Sequence, residues 1–148
     1  MSEVERPARG VSDLGEMLAT MRPELDPDAW VFATAAEPLA GAEVTVVEAE
    51  GVTSVLRARE LPAVGDAPAR LRVSPPFARI TLRVHSDLEA VGLTAAVATA
   101  LAAEGISANV VAGFFHDHVF VPWPRASDAL ASVRALQRSA ARAGDARG

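Results

Sequence analysis

The residues with the most obvious chemistry lie together near the C-terminus, in the stretch FFHDHVFVPW at positions 114–123. Two of the three histidines of the chain, His116 and His118, stand there on either side of Asp117. Such a group can serve as a metal site, as a catalytic base or as the rim of a ligand pocket. Which of these applies depends on the strands and helices that position the side chains.

Strand alternation predicts where these side chains point. The stretches FARITLRVH (77–85) and HDHVFVPW (116–123) are typical of strands. In a ferredoxin-like unit they are antiparallel neighbours, so His85 would lie close to His116 and His118. Alternation places Asp117, Val119 and Val121 on the core face, and it places His116, His118 and Phe120 on the face that points away from the helices, toward solvent or a partner. Three histidines could bind zinc or iron, which we keep as a less favoured alternative.

Hydrolytic chemistry finds little support in the residues around Ser86. Asp87 or Asp117 could complete a triad with a histidine, but no nucleophile elbow surrounds a serine. The chain contains no cysteine and no glycine-rich phosphate loop. We therefore predict a protein that is not an enzyme and that uses no cofactor.

The spacing of Ser86 and Glu89 matches a capping box, which predicts a helix from Ser86 to Glu104. The first N–H groups of such a helix could hold a carboxylate or another anion. The structural alternative is that the two side chains only cap each other. The rest of this helix is apolar nearly all round, which indicates that a subdomain or an oligomer contact covers more than one side.

Composition excludes several classes of partner. The 148 residues carry a net charge of −5 and only 5% aromatic residues, which argues against nucleic acid. No apolar stretch is long enough to span a membrane, and the charged N-terminus lacks the apolar run of a signal peptide. We therefore expect a soluble, cytoplasmic protein.

The order of elements predicts an α+β fold. Residues 77–142 are predicted to run strand, helix, strand, strand, helix, which is five-sixths of a ferredoxin-like unit. The first half repeats this order weakly, with a helix at 11–21, the strand WVFAT at 30–34 and two strands within 43–57. WVFAT could supply the missing fourth strand. The predicted division is a frayed N-terminus at 1–10, a degenerate N-terminal subdomain at 11–70, a connector at 71–76, a C-terminal subdomain at 77–142 and a frayed tail at 143–148.

The run ITLRVHSDLEAVGLTAAVATALAAEGISANVVAGFFHDHVFVP at 80–122 resembles small bacterial ACT domain-containing proteins, and LATMRPELDPDAWVFAT and EAEGVTSVL resemble their N-terminal segments. The resemblance implies two ACT-like, ferredoxin-like subdomains, each an antiparallel sheet with helices on one face. It also implies side-by-side pairing and a regulatory ligand, commonly an amino acid, bound between two such units.

In ACT domains the pocket involves the loop after the first strand, the start of its helix and the facing second strand. Gly92 would leave room for the ligand, whereas Asp87 stands where the family suggests a second serine and could meet an ammonium group. Phe114 and Phe115 replace an expected tyrosine pair. The ligand-binding residues implied by the resemblance are His85, Ser86, Asp87, Leu88, Val91, Gly92, Leu93, Asn109, Val110, Val111, Ala112 and Gly113.

We therefore predict a non-catalytic, amino-acid-sensing regulatory protein that works as a homo-oligomer. One alternative is an interaction or oligomerisation module that has no ligand. The other is the metal-binding protein that would use His85, His116 and His118.

Overall fold

The computed structural model describes residues 13–147, so Val11, which begins the predicted first helix, lies outside the described residues. Helix α1 (Leu14–Thr20) is capped by Asp13, whose carboxylate accepts a hydrogen bond of 2.8 Å from the N–H of Glu16. Met17 and Leu18 on its inner side are buried. No helix in this part of the chain is long and apolar enough to cross a bilayer.

Strand β1 (Arg22–Ala35) follows at once and is far longer than the predicted WVFAT. Its pairing shifts register between Leu25 and Ala29, where the sequence is Asp26-Pro27-Asp28. Pro27 has no N–H to donate to a neighbouring strand, and the side chain of Asp26 accepts a hydrogen bond from the N–H of Asp28 at 2.8 Å. The irregularity lets one strand serve both halves of the molecule.

The remaining strands form one antiparallel sheet with β1. They are β2 (Val44–Glu48), β3 (Gly51–Arg57), β4 (Arg72–Val73), β5 (Phe77–Arg83), β6 (Asn109–Ala112) and β7 (Asp117–Pro122). Their order is β2-β3-β1-β5-β7-β6, and β4 pairs with β1. Strand β4 lies inside the segment that we predicted to be a connector.

Strand β1 completes the C-terminal unit, because it pairs with β5 on the side away from β7. The prediction that WVFAT supplies this strand was wrong in its residues. The segments that pair with β5 are Arg22–Leu25 and Ala29–Trp30, so Trp30 is the one residue of WVFAT that does so. All five residues of WVFAT pair with β3 in the N-terminal unit.

Two longer helices, α2 (Leu93–Ala103) and α3 (Ala126–Asp145), lie with α1 on one face of the C-terminal strands. Residues 143–145, which we expected in a frayed tail, are the last turn of α3. The core between helices and sheet includes Met17, Ile80, Leu82, Val97, Leu101, Val119 and Val133. The predicted core positions of Val119 and Val121 are confirmed.

Short segments rather than a helix cover the N-terminal strands on the same face. Val31, Ala33 and Leu56 form a small cluster beneath Leu61 and Leu71. The degenerate N-terminal half therefore has the strands of a ferredoxin-like unit without its full pair of helices. The fold is α+β with antiparallel strands and helices on one face, as predicted.

The opposite face, which we call the open face, is covered by no helix of residues 13–147. Trp30, Val55 and Phe120 are nevertheless buried there. Phe120 lies on the face away from the helices, as predicted, and its ring is buried there because it packs edge-on against Trp30 and Phe32.

Candidate functional site

A small cavity lies where β5 and β6 end and β7 begins, beside the start of α2, and we call it the loop pocket. Its volume is about 130 Å³. The segment between β5 and α2, residues 84–92, forms most of its wall, and Ala112 and Asp117 close it from the β6–β7 hairpin. The lining residues are Ser86, Asp87, Leu88, Ala90, Gly92, Leu93, Thr94, Ala112 and Asp117.

The predicted capping box is wrong, because α2 begins at Leu93 and not at Ser86. Asp87 instead accepts a hydrogen bond from the N–H of Glu89 at 3.0 Å, which stabilises a turn before the helix. Gly92 is the N-cap residue and has a φ of +104°, a conformation that glycine adopts without strain. The first N–H groups of α2 therefore still lie at the pocket, seven residues later than predicted.

Asp117 also lines the loop pocket, although it was not among the predicted binding residues. It begins β7 and is paired with Leu82 and Ala112, which brings it beside the loop that follows β5. Burial raises the pKa of the Asp117 carboxyl, and the charge of His116 opposes this rise. The predicted pairing of the end of β5 with the start of β7 contained the signal that could have located this residue.

The three histidines do not converge. His85 lies against the ring of Phe115 with 5.4 Å between ring centroids. His116 Nδ1 lies 3.3 Å from the carbonyl oxygen of Val84, and His118 Nδ1 lies 3.0 Å from the hydroxyl of Thr81. Among residues 13–147, no three His, Cys, Asp or Glu side chains are grouped to hold a metal ion. The arrangement does not favour the metal-binding alternative.

The structure divides the predicted ligand-binding residues among different places. Six of them line the loop pocket: Ser86, Asp87, Leu88, Gly92, Leu93 and Ala112. Val111, Ala112 and Gly113 line another cavity on the open face. Val110 packs toward the helices. Asn109 is paired with Phe120 at the other end of β6 from Ala112 and does not line the loop pocket.

The surroundings of the loop pocket are apolar and exposed. Leu88 and Val91 in the loop are 61% and 84% exposed, and Phe114 and Phe115 in the β6–β7 turn are 55% and 57% exposed. The two phenylalanine rings pack edge-on at 5.1 Å. Large apolar side chains gathered at one end of a sheet are typical of a surface that another molecule covers.

The chain matches two ACT domain models in tandem, at residues 9–64 and 77–138. It belongs to the ACT domain family, so the predicted resemblance is confirmed. ACT domains are regulatory modules that are not themselves catalytic, and this chain is a regulatory ACT protein.

Among solved structures, a Vibrio cholerae protein of unknown function, named a possible transport protein, is 43% identical to this chain, with a TM-score of 0.70. The match covers 84% of this chain and 95% of that one. The regulatory subunit of aspartate kinase from Thermus thermophilus, in a ligand-free form, is 14% identical with a TM-score of 0.61, covering 80% and 97% of the two chains. A protein from Agrobacterium tumefaciens is 15% identical with a TM-score of 0.64, covering 79% and 89%. The last two likenesses show the fold alone. No curated protein matches the chain.

Proposed function

We propose that this chain is a non-catalytic sensor that binds a small amino acid in the loop pocket, between ACT-like units of two copies of the chain. The observation that carries the proposal is that two opposite chemistries line one small cavity. Two acidic residues, Asp87 and Asp117, line the same cavity as the start of α2 at Leu93 and Thr94. A zwitterion has the matching pair of charges.

The helix start supplies the site for the carboxylate group of the ligand. Gly92 has no side chain to cap α2, and no side chain in residues 13–147 accepts a hydrogen bond from the N–H groups of Leu93 or Thr94. Free N–H groups and the helix dipole both favour a carboxylate at this position.

The aspartates supply the site for the ammonium group. Asp117 is partly buried, and the raised pKa of its carboxyl reflects a charge that burial disfavours. A ligand cation beside Asp117 would offset this cost, because an opposite charge stabilises the ionised carboxylate. Asp87, held in its turn by the N–H of Glu89, adds a second acceptor at the pocket.

The size of the loop pocket favours a site that two copies share. Its volume of about 130 Å³ is well below the roughly 300 Å³ at which ligand pockets usually begin. A second copy seated on Leu88, Val91, Phe114 and Phe115 would bury these apolar side chains and close the cavity. A ligand that contacts both copies would stabilise the assembled state through its differential affinity.

Thermal unfolding against the twenty amino acids tests this function. A ligand at about one hundred times its Kd adds about 2.7 kcal/mol to stability and raises the Tm by several degrees. Asp117→Asn should abolish the shift. Asp66→Asn is the matched control, because Asp66 is exposed in a short turn and does not line the loop pocket. This variant should keep the Tm shift.

Sedimentation in the same samples distinguishes the outcomes. A Tm shift together with ligand-dependent self-association supports a sensor. If no amino acid changes the Tm and the assembly is identical in every sample, the amino-acid function fails. The exposed apolar residues would then favour the alternative of an interaction or oligomerisation module without a ligand.

A further inference from the structure

The open face holds a cavity of about 300 Å³ that is separate from the aspartates and helix start of the loop pocket, and we call it the open-face pocket. Trp30 and Phe120 form its aromatic walls, and Val111 of the edge strand β6 lies at its side. Trp30 and Phe120 are both completely buried in this cluster. The cavity has the size and the apolar lining of a small-molecule site.

Two residues that line the cavity each carry a buried hydrogen-bond donor without an acceptor. Neither the indole Nε1 of Trp30 nor the Nε of Arg79 has a hydrogen-bond partner among the described residues. A buried donor without a partner costs on the order of 1–3 kcal/mol, so such groups are uncommon in folded proteins. Both residues line the cavity, and a molecule that enters it and moves aside the side chains covering these N–H groups would supply the missing acceptors.

The charges around the cavity already neutralise one another. Arg79 donates to Asp26 at 2.7 Å and to Glu43 at 3.0 Å. Arg57 pairs with Glu43 and with Asp28. The guanidinium groups of Arg79 and Arg57 lie 4.1 and 4.6 Å from the centre of the Trp30 ring. A charged ligand would find no unpaired counter-charge among the described residues named above, whereas an uncharged one would disturb no ion pair.

His118 adds a further polar group that faces the cavity. Its Nδ1 is engaged with Thr81, which leaves Nε2 directed toward Gly113. A Cβ on Gly113 would lie 3.4 Å from this Nε2 and 2.8 Å from the carbonyl oxygen of His116, so glycine keeps this wall open. The Nε2 atom can donate or accept a hydrogen bond with a ligand.

We propose that the open-face pocket is a second ligand site, which takes a small, uncharged, planar ring bearing carbonyl or ring-nitrogen acceptors, the chemistry of a free nucleobase. The ring fits beside the aromatic walls, and its acceptors meet the free N–H groups of Trp30 and Arg79. The mixed donors and acceptors on the edge of a nucleobase also match Nε2 of His118. This site does not depend on amino-acid binding in the loop pocket.

The test is an NMR titration of the intact protein with hypoxanthine and with uracil, following the indole N–H resonance of Trp30. The Trp123→Phe variant assigns this signal, because the chain has only two tryptophans. We expect the Trp30 resonance to shift in a saturable way with at least one base. Benzoate, which is planar but anionic, should leave it unchanged.

Two matched variants locate the site. Val111→Phe fills the cavity from the edge strand and should weaken binding about tenfold or more. Val47→Phe makes the same change on the other edge strand, where Val47 is 81% exposed, and should bind as the original chain does. Asp117→Asn should also leave base binding intact, so failure of the loop pocket and failure of this site are distinguishable.

The proposal is overturned if neither base shifts the Trp30 resonance at the limit of its solubility. It is equally overturned if Val111→Phe, with a dispersed native spectrum, binds as tightly as the original chain. Saturable binding of benzoate in place of the bases would contradict the uncharged class of ligand.

Discussion

The two pockets lie near one another on the same sheet, yet they are built in opposite ways. The loop pocket depends on the nine-residue segment 84–92 between β5 and α2. Short turns hold its backbone: the N–H of Ser86 donates to the carbonyl oxygen of Val84, and the N–H of Ala90 donates to that of Asp87. The open-face pocket is fixed by aromatic packing and by ion pairs between three strands. The first is suited to respond to a ligand, whereas the second belongs to the rigid part of the fold.

Removing the central ring of the open face should have the largest effect on stability. Trp30→Ala deletes a completely buried side chain that packs on Phe120 and lies under Arg57 and Arg79. We expect a loss of about 3–5 kcal/mol in the free energy of unfolding, measured with urea. The loop pocket should contribute little to this value.

Trp123→Ala is the control for this loss, since Trp123 is 39% exposed. It should cost less than half as much. Equal losses in the two variants would contradict the view that the open face is the rigid region, because they would show that Trp30 contributes no more than a partly exposed ring.

Much of the C-terminal unit could be predicted because local patterns determine it. Alternation in 77–85 and 117–122 and the helical spacing of Leu130, Val133 and Leu136 are short-range signals, and the structure has strands and a helix there. The long β1 could not be predicted, because Pro23 and Pro27 disfavour a strand locally. Pairing with two different partners stabilises it in spite of them.

The site was predicted less completely for a related reason. Ser86 and Glu89 satisfy a capping box locally, but the chain uses Asp87 for a turn and starts α2 after Gly92. The contribution of Asp117 depends on register between strands that are far apart in sequence. The open face was missed because its ion pairs join Asp26, Glu43 and Arg79, whose contact only the folded sheet creates.

A change at Gly92 should have an intermediate effect, confined to the loop pocket. Gly92→Ala forces alanine into a φ of +104° and places its Cβ 3.0 Å from Leu14 Cδ2. Leu14 can move, but the backbone strain remains, and we expect a loss of about 1–2 kcal/mol in urea unfolding. Amino-acid binding should weaken as well, since Gly92 is the N-cap residue of α2.

Gly65→Ala is the matched control, because nothing lies within 4 Å of the new Cβ and its φ is not positive. It should be neutral or slightly stabilising. If Gly92→Ala were as harmless as Gly65→Ala, the left-handed start of α2 would be unnecessary, and the loop pocket would lose its defined helix terminus.

The smallest effect is expected in the pH dependence of stability, which should have opposite signs in the two pockets. On the open face, burial and then the charges of Arg79, His116 and Arg83 hold the pKa of His118 below its ordinary 6.5, while Glu43 opposes them. Between the lowered pKa and 6.5, the unfolded chain therefore binds more protons than the folded chain does. The free energy of unfolding falls as the pH drops below 6.5.

In the loop pocket, burial raises the pKa of Asp117 above 3.8, against the charge of His116. The folded chain therefore holds the proton more tightly, and the Asp117 contribution decreases as the pH rises from 3.8 through the raised pKa. Urea unfolding should be measured from pH 4 to 8. In His118→Gln the free energy of unfolding should fall less toward acid pH than it does in the original chain. In Asp117→Asn it should fall less as the pH rises above 4. If the free energy of unfolding had the same pH dependence in both variants, the prediction that the two pockets contribute with opposite signs would be wrong.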